Sequence, residues 1–150
     1  MKTKNDKPVL LVLGQTPPPY GGQAIMIDNF VSKKYESFEI ILIRFSFSRE
    51  MDEIGTIRIS KLFHALRIVY MLFRIRFNTS TTIDSVYYPP AGGHVVPIIR
   101  DMMLLVFTRL LFRKIIFHMH AGGIGEVYKR SNRLMQSIMR FCYFRPDLTI

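Results

Sequence analysis

Two histidines and three pairs of adjacent glycines are the residues of this sequence whose types and spacing could do chemistry. His118 and His120 stand two positions apart, so on a strand both side chains would point to the same face. The glycine pairs are Gly21-Gly22, Gly92-Gly93 and Gly122-Gly123. Glycine lets the backbone approach a ligand without an intervening Cβ, and an imidazole can hydrogen-bond a sugar hydroxyl or a phosphate, or act as a base. Together these residues favour the binding of a phosphorylated ligand.

The same residues also have ordinary structural interpretations, which the sequence leaves open. Glycine and proline form tight turns, and both histidines could be hydrogen-bonded core residues. We expect a split, with His118 inside the sheet and His120 at a strand tip facing the ligand. A metal site made with His94 is disfavoured because no Asp or Cys stands at ligand spacing around these histidines, so we expect neither a metal nor another cofactor. Glu126 could contact substrate or simply interact with a helix dipole.

The elements that must position these residues alternate between strands and helices. Short apolar runs bounded by Pro or Gly predict buried strands, and segments with helical spacing predict helices between them. Strands are expected at residues 8–14, 38–45, 84–88 and 114–120, with another starting at Asp147. Helices are expected at residues 23–34, 60–78, 95–113 and 128–145, and a loop at 46–59. This alternation predicts an α/β, Rossmann-like fold with a mostly parallel sheet and helices on both faces.

Each glycine pair lies in a loop that directly follows a predicted strand. Ligands of open parallel sheets bind beyond the carboxyl ends of the strands, so the three loops predict one shared crevice. Gly22 also precedes a helix whose free N–H groups can face a phosphate. The first loop, QTPPPYGG, matches neither GxGxxG nor GxxxxGK[ST], which argues against ordinary NAD enzymes and P-loop ATPases.

Length and composition indicate one folded domain over residues 1–150. A chain of this size with 49% hydrophobic residues can bury one compact core. Cys142 is the single cysteine, and the amino terminus has no leader pattern, so we expect a cytosolic protein. No apolar stretch is long enough to span a membrane.

The net charge of +10 arises in residues 54–150, because the first 53 residues are neutral overall. A positive surface attracts phosphorylated ligands, anionic lipid or nucleic acid, and only the net charge recommends nucleic acid. The predicted helices at 60–78 and 128–145 combine basic residues with large apolar faces. That combination suits a helix lying on an anionic membrane, although a solvated basic face over an ordinary core remains the alternative.

Two stretches resemble the amino-terminal domain of GT-B glycosyltransferases of the family 4 type. They are VLLVLGQTPPPYGGQAIMIDNFV at residues 9–31 and RDMMLLVFTRLLFRKIIFHMHAGG at residues 100–123. The likeness is greatest to bacterial polysaccharide-assembly enzymes, in which a Pro-rich Gly-Gly loop follows the first strand and an H-x-H-x-G-G element ends a later one. It extends over essentially the whole chain.

The resemblance implies a Rossmann-like acceptor domain that faces a second domain holding the nucleotide-sugar. It puts Gly21 and Gly22 near the donor diphosphate and makes His120 the catalytic residue, near the transferred sugar. The loops and the resemblance together give the expected substrate-binding residues Gly21, Gly22, His118, Gly122, Gly123 and Glu126.

The activity that the resemblance implies is a retaining, metal-independent transfer to a lipid-linked saccharide at the cytoplasmic face of the membrane. The E-x7-E carboxylates of the donor half are missing from this sequence, and it ends within a predicted strand. We therefore expect either a fragment or a split enzyme whose second chain supplies the donor domain, with residues 1–150 inactive alone. The expected partners are the nucleotide-sugar, the lipid-linked acceptor, an anionic membrane surface and that second chain, but no nucleic acid. The alternative is a non-catalytic, membrane-associated partner subunit of a two-chain glycosyltransferase.

Overall fold

A sheet of five parallel strands forms the centre of the computed structural model. The structure describes residues 7–45, 59–78 and 82–150. Within these ranges it describes all side chains except those of residues 59–62 and 78. The strands are β1 (Val9–Gly14), β2 (Glu39–Arg44), β3 (Ile83–Tyr88), β4 (Ile115–Phe117) and β5 (Leu148–Thr149). Their order across the sheet is β2-β1-β3-β4-β5, and every neighbouring pair is parallel. The α/β, Rossmann-like fold predicted from the alternation of elements is confirmed.

The helices lie on both faces of the sheet, as expected. They are α1 (Gly22–Val31), α2 (Ile59–Asn78), α3 (Val95–Leu111), α4 (Ile124–Arg130) and α5 (Arg133–Tyr143). The chain crosses from β1 to β2 in one direction and makes its three later crossovers in the opposite direction. Because parallel crossovers are right-handed, α1 lies on one face and the other helices lie on the opposite face.

The sheet therefore separates two unequal cores. Leu11 and Leu13 of β1 belong to the larger core, formed with α2, α3, α4 and α5. Val12, between them in sequence, points to the smaller core with Ile27 of α1 and Tyr87 of β3. This burial on both faces explains why β1 is a continuous apolar run instead of an alternating one.

The single helix predicted over residues 128–145 is wrong, because the chain forms two helices there. Helix α4 starts at Ile124, after Gly123 adopts a left-handed conformation, and ends at Arg130. Asn132 then caps α5, since its side chain accepts a hydrogen bond from the Met135 N–H at 2.9 Å. The side chain of Asn132 satisfies a backbone donor that a continuous helix would have bonded to a carbonyl.

The fourth strand is shorter than the predicted 114–120. Strand β4 pairs with Val86–Tyr88 of β3 on one side and with Leu148–Thr149 of β5 on the other, and both ladders end at Phe117. His118 continues the contact through one hydrogen bond, from its N–H to the Tyr88 carbonyl at 3.2 Å. His120 lies beyond the strand. The strand predicted to start at Asp147 is β5, and most of the predicted loop, residues 46–58, falls outside the described residues.

Candidate functional site

Three loops at one edge of the sheet carry the residues singled out in the sequence. Residues 15–21 follow β1, residues 89–94 follow β3 and residues 118–123 follow β4. These strands are neighbours and parallel, so their carboxyl ends meet at the same edge. The chain leaves β1 toward β2 on one side, and β3 pairs with β1 on the other. This reversal is the topological switch point at which open α/β sheets bind ligands.

His118 is held by Tyr87 of the neighbouring strand. The Tyr87 hydroxyl lies 2.5 Å from His118 Nδ1, and the two rings meet edge to face. Burial raises the pKa of Tyr87 to about 12, so the phenol keeps its proton at neutral pH. The Tyr87 hydroxyl can therefore donate a hydrogen bond to His118 Nδ1 in the tautomer that carries its hydrogen on Nε2. His118 is half-buried and hydrogen-bonded, but it lies one residue beyond the end of β4 and not inside the sheet as expected.

His120 lies beside His118 and is exposed to solvent. The two ring centroids are 4.1 Å apart and the rings are tilted by 31°. The pKa of His120 is lowered below the usual 6.5, mainly by partial burial and to a smaller extent by repulsion from a positive charge on His118. Its imidazole is therefore neutral at pH 7, with one nitrogen able to accept a proton and the other able to donate a hydrogen bond.

The histidine pair lies on the face of the sheet that α1 covers. Tyr87, the partner of His118, contacts α1 through Met26 Sδ at 3.9 Å from its hydroxyl and through the Phe30 ring at 5.2 Å between centroids. Gln23, in the first turn of α1, donates from Nε2 to the Pro89 carbonyl at 2.9 Å. These contacts tie the start of α1 to β3 and its loop, on the same face and edge as the imidazoles.

Three of the four glycines in the second and third pairs are explained by contact between the two loops. A Cβ on Gly92 would clash with the Cβ of Ala121, and a Cβ on Gly123 would lie 2.6 Å from Gly93 Cα. Gly93 and Gly123 also have φ of +64° and +94°, which favour glycine. The turn-forming interpretation is therefore sufficient for Gly92, Gly93 and Gly123.

Gly21, Gly22 and Gly122 differ, because no atom lies within 4 Å of a Cβ built on any of them. None of the three has a positive φ, so neither packing within the described chain nor backbone conformation requires glycine there. Gly21 is the N-cap of α1 and provides no side-chain hydrogen bond to the first turn. The open backbone can face a ligand with the unbonded N–H groups of this helix start.

The loop at 89–94 is anchored by Asp101 of α3, which sequence reasoning did not single out. Its fully buried carboxylate accepts hydrogen bonds from the Tyr88 hydroxyl at 2.8 Å and from the Ala91 N–H at 2.7 Å, and it forms an ion pair with Arg100. A lone acid within an apolar helix was the available signal, because a buried carboxylate needs such partners. The role of Tyr87 had no comparable signal in the sequence.

Glu126 lies in the first turn of α4, and its side chain is exposed. A carboxylate at this position interacts favourably with the helix dipole, which is sufficient to explain it. In the part of the chain that the structure describes, no three His, Cys, Asp or Glu side chains are grouped as metal ligands would be. No helix among the described residues is both long and apolar enough to cross a bilayer.

We compared the chain with models of known protein families, with curated proteins and with solved structures, and none of them matches it.

Proposed function

We propose that this chain is the acceptor-side half of a glycosyltransferase, which moves a sugar from a nucleotide-sugar to a saccharide acceptor. One observation carries the proposal. The open backbone at Gly21 and Gly22 and the adjacent rings of His118 and His120 share one edge and one face of a parallel sheet, beside its switch point. A helix start with free N–H groups and two hydrogen-bonding imidazoles at the same edge suit a sugar diphosphate.

Some of these residues would bind the diphosphate, and others would orient the transferred sugar. The N–H groups at the start of α1 would stabilise the departing diphosphate, approached closely because Gly21 and Gly22 have no side chains. The neutral His120 would hydrogen-bond the transferred sugar and hold it in line with the acceptor hydroxyl. The neutral form of His120 would be favoured mainly by its partial burial and secondarily by repulsion from His118, whose ring Tyr87 orients. The rest of the nucleotide would be held mostly by a donor domain, on this chain or on a second one.

A lipid-linked acceptor and a peripheral position at the cytoplasmic face of the membrane complete the proposal. They derive from the family resemblance and from the excess of basic residues in residues 54–150. An acceptor carried on a lipid requires the domain to work at the bilayer surface. The retaining outcome of the transfer derives from the resemblance alone.

The proposal is tested by titrating the ¹⁵N-labelled chain with UDP and with a panel of nucleotide-sugars, followed by NMR. We expect the amides of Gly21 and Gly22 and the imidazole of His120 to shift. Gly125, equally open but within α4, is the matched control and should stay in place. A chain that responds to NADH and to no sugar nucleotide contradicts the proposal, as does a chain in which only Gly125 responds.

The alternative function is a non-catalytic subunit that docks a catalytic chain. The observation in its favour is the exposed apolar end of the sheet, where Leu148 of β5 is 51% and Ile150 is 60% exposed. Transfer by a reconstituted pair of chains would distinguish the two functions. Loss of turnover with His120→Ala supports the acceptor half, whereas loss only with Leu148→Asp, together with loss of the complex, supports the docking subunit.

A further inference from the structure

Helix α2 has two apolar faces, and the core uses only one of them. Ala65, Ile68 and Leu72 are almost completely buried against the sheet and α3. A second row at helical spacing points to solvent, with side chains that are between 39% and 69% exposed: Phe63, Leu66, Tyr70, Phe73 and Phe77. Scattered exposed apolar residues are normal, but a continuous row along one helix is not.

The exposed row continues across the neighbouring helices. Helix α3 contacts both α2 and α5, and the Phe73 ring meets Phe107 of α3 at 6.0 Å between centroids. The outward row of α3 is also apolar, with Ile99 and Leu110 at its exposed ends. We define the outer apolar surface by these residues of α2, α3 and α5: Phe63, Leu66, Tyr70, Phe73, Phe77, Ile99, Met103, Val106, Phe107, Leu110, Leu134, Ile138 and Phe141.

The exposed charged side chains that the structure describes on α2, α3 and α5 are all basic. Asp101 is the only acidic residue in the sequence of α2, α3 and α5, and it is fully buried and paired. Arg67 and Arg74 are exposed and lie within about 60° of Tyr70 on the helical wheel. Arg133 and Arg140 are exposed on α5. On α2, basic groups therefore border the apolar row, and no described acid on α2, α3 or α5 opposes them.

We infer that the outer apolar surface docks on an anionic lipid bilayer, with α2 and α3 lying in the plane of the interface. Helices that lie in such an interface combine aromatic and aliphatic side chains on one side with flanking Lys and Arg. The long side chains of Arg67 and Arg74 can rest along the apolar rows and direct their guanidinium groups to headgroup phosphates. Charge complementarity selects an anionic bilayer over a neutral one.

This docking rests on and specifies the peripheral membrane position of the proposed function, but it does not depend on the ligand proposed at the strand ends. The outer apolar surface belongs to the layer of α2, α3 and α5, on the opposite face of the sheet from Tyr87 and His118. Vesicle binding needs no sugar nucleotide, and the site needs no vesicle to bind UDP. Failure of one experiment therefore leaves the other result intact.

The test is co-sedimentation of the whole chain with vesicles of phosphatidylcholine, with and without phosphatidylglycerol. We expect binding only to the anionic vesicles. Replacing two of the outward aromatic residues, Tyr70→Ser with Phe77→Ser, should reduce binding at least tenfold through lost apolar burial. The matched control is Ile25→Ser, a 44% exposed residue of α1 on the opposite face, which should leave binding unchanged.

The contribution of basic side chains to vesicle binding is tested with a second set of variants. Arg67→Gln with Arg74→Gln should weaken binding to anionic vesicles roughly 25-fold, because each basic group near such a surface contributes about a fivefold factor. Lys33→Gln with Lys34→Gln removes the same charge from exposed residues after α1 and should have a much smaller effect.

Three outcomes overturn the inference. In the first, the chain does not bind anionic vesicles. In the second, the Ile25 and Lys33/Lys34 control variants weaken vesicle binding as much as the variants of the outer apolar surface do. In the third, the chain self-associates without binding vesicles, and light scattering shows that Tyr70→Ser with Phe77→Ser makes it monomeric. A second copy would then cover this surface. Circular dichroism of each variant confirms that the fold is intact.

Discussion

Tyr87 contacts His118 and His118 contacts His120, so the three side chains form a row that ends at the exposed imidazole. Tyr87 keeps its proton because burial raises its pKa to about 12, and its hydroxyl occupies Nδ1 of His118. His118 in turn repels a proton on His120, whose pKa partial burial already lowers. A histidine in this environment stays neutral at a pH where an isolated imidazole would begin to take up a proton.

We predict that His118→Asn raises the pKa of His120 toward 6.5 without reaching it. The substitution removes the repulsion, which is the smaller cause, while the desolvation by burial remains. The measurement is the chemical shift of the His120 ring proton as a function of pH by NMR. Glu126→Gln, an exposed change on α4, is the control that should leave the midpoint unchanged. A midpoint that falls or stays in place in His118→Asn contradicts the coupling.

The same lowered pKa gives the sign of a stability effect. Because the folded chain holds His120 in its neutral form more strongly than the unfolded chain does, protonation favours unfolding. The contribution of His120 to stability is therefore complete above about pH 6.5 and is lost as the pH falls from there through the lower folded-state pKa.

Two loops of the site edge are built against each other, so they behave as one element. Gly123 approaches Gly93 so closely that a Cβ has no room, while Gly122, one residue earlier, faces open space. Asp101 holds the start of the loop at 89–94, because its carboxylate accepts a hydrogen bond from the Ala91 N–H. The loops after β3 and β4 thus depend on glycine at defined positions and on one buried carboxylate.

We predict that Gly123→Ala lowers the free energy of unfolding by about 1–3 kcal/mol, because the new Cβ meets Gly93 in a left-handed conformation. Gly122→Ala should change it by less than about 0.5 kcal/mol. Urea denaturation followed by far-ultraviolet circular dichroism compares the two. Equal losses for both alanine variants would show that the loops do not pack in this way.

At the scale of the whole molecule, the described residues place one helix on one face of the sheet and a layer of helices on the other. Helix α1 buries Ala24 and Ile27 alone, whereas seven residues of α3 are buried. Local opening costs less free energy where fewer apolar side chains are released. The helix whose start would bind the ligand is thus the one held by the smaller core.

We predict that amide hydrogens of α1 exchange faster than those of α3, because α1 can open without disturbing the larger core. Hydrogen exchange followed by NMR at neutral pH measures this directly, and the middle turns of both helices should be compared so that fraying at the ends does not contribute. Protection of α1 equal to that of α3 would mean that the two cores unfold as one unit.

Several features of the sequence predicted local structure well, because they report burial of a segment along its own length. The continuous apolar run of β1 indicated a strand covered on both faces, and alternation of such runs with helical periodicity predicted the Rossmann-like sheet. The break at Asn132 was missed because the apolar spacing of α4 and α5 continues across it, although a good N-cap residue stands there. The order of the elements also placed the three loops after strands.

By itself, then, the sequence determined the elements and the kind of fold, since the period of apolar residues is a property of a single segment. Only the tertiary structure decided the contacts that join distant segments: Tyr87 with His118, and Gly93 with Gly123. It also decided which apolar face of α2 enters the core. A helix with two apolar faces carries no internal sign of which one is covered, because that depends on the neighbour against which it packs.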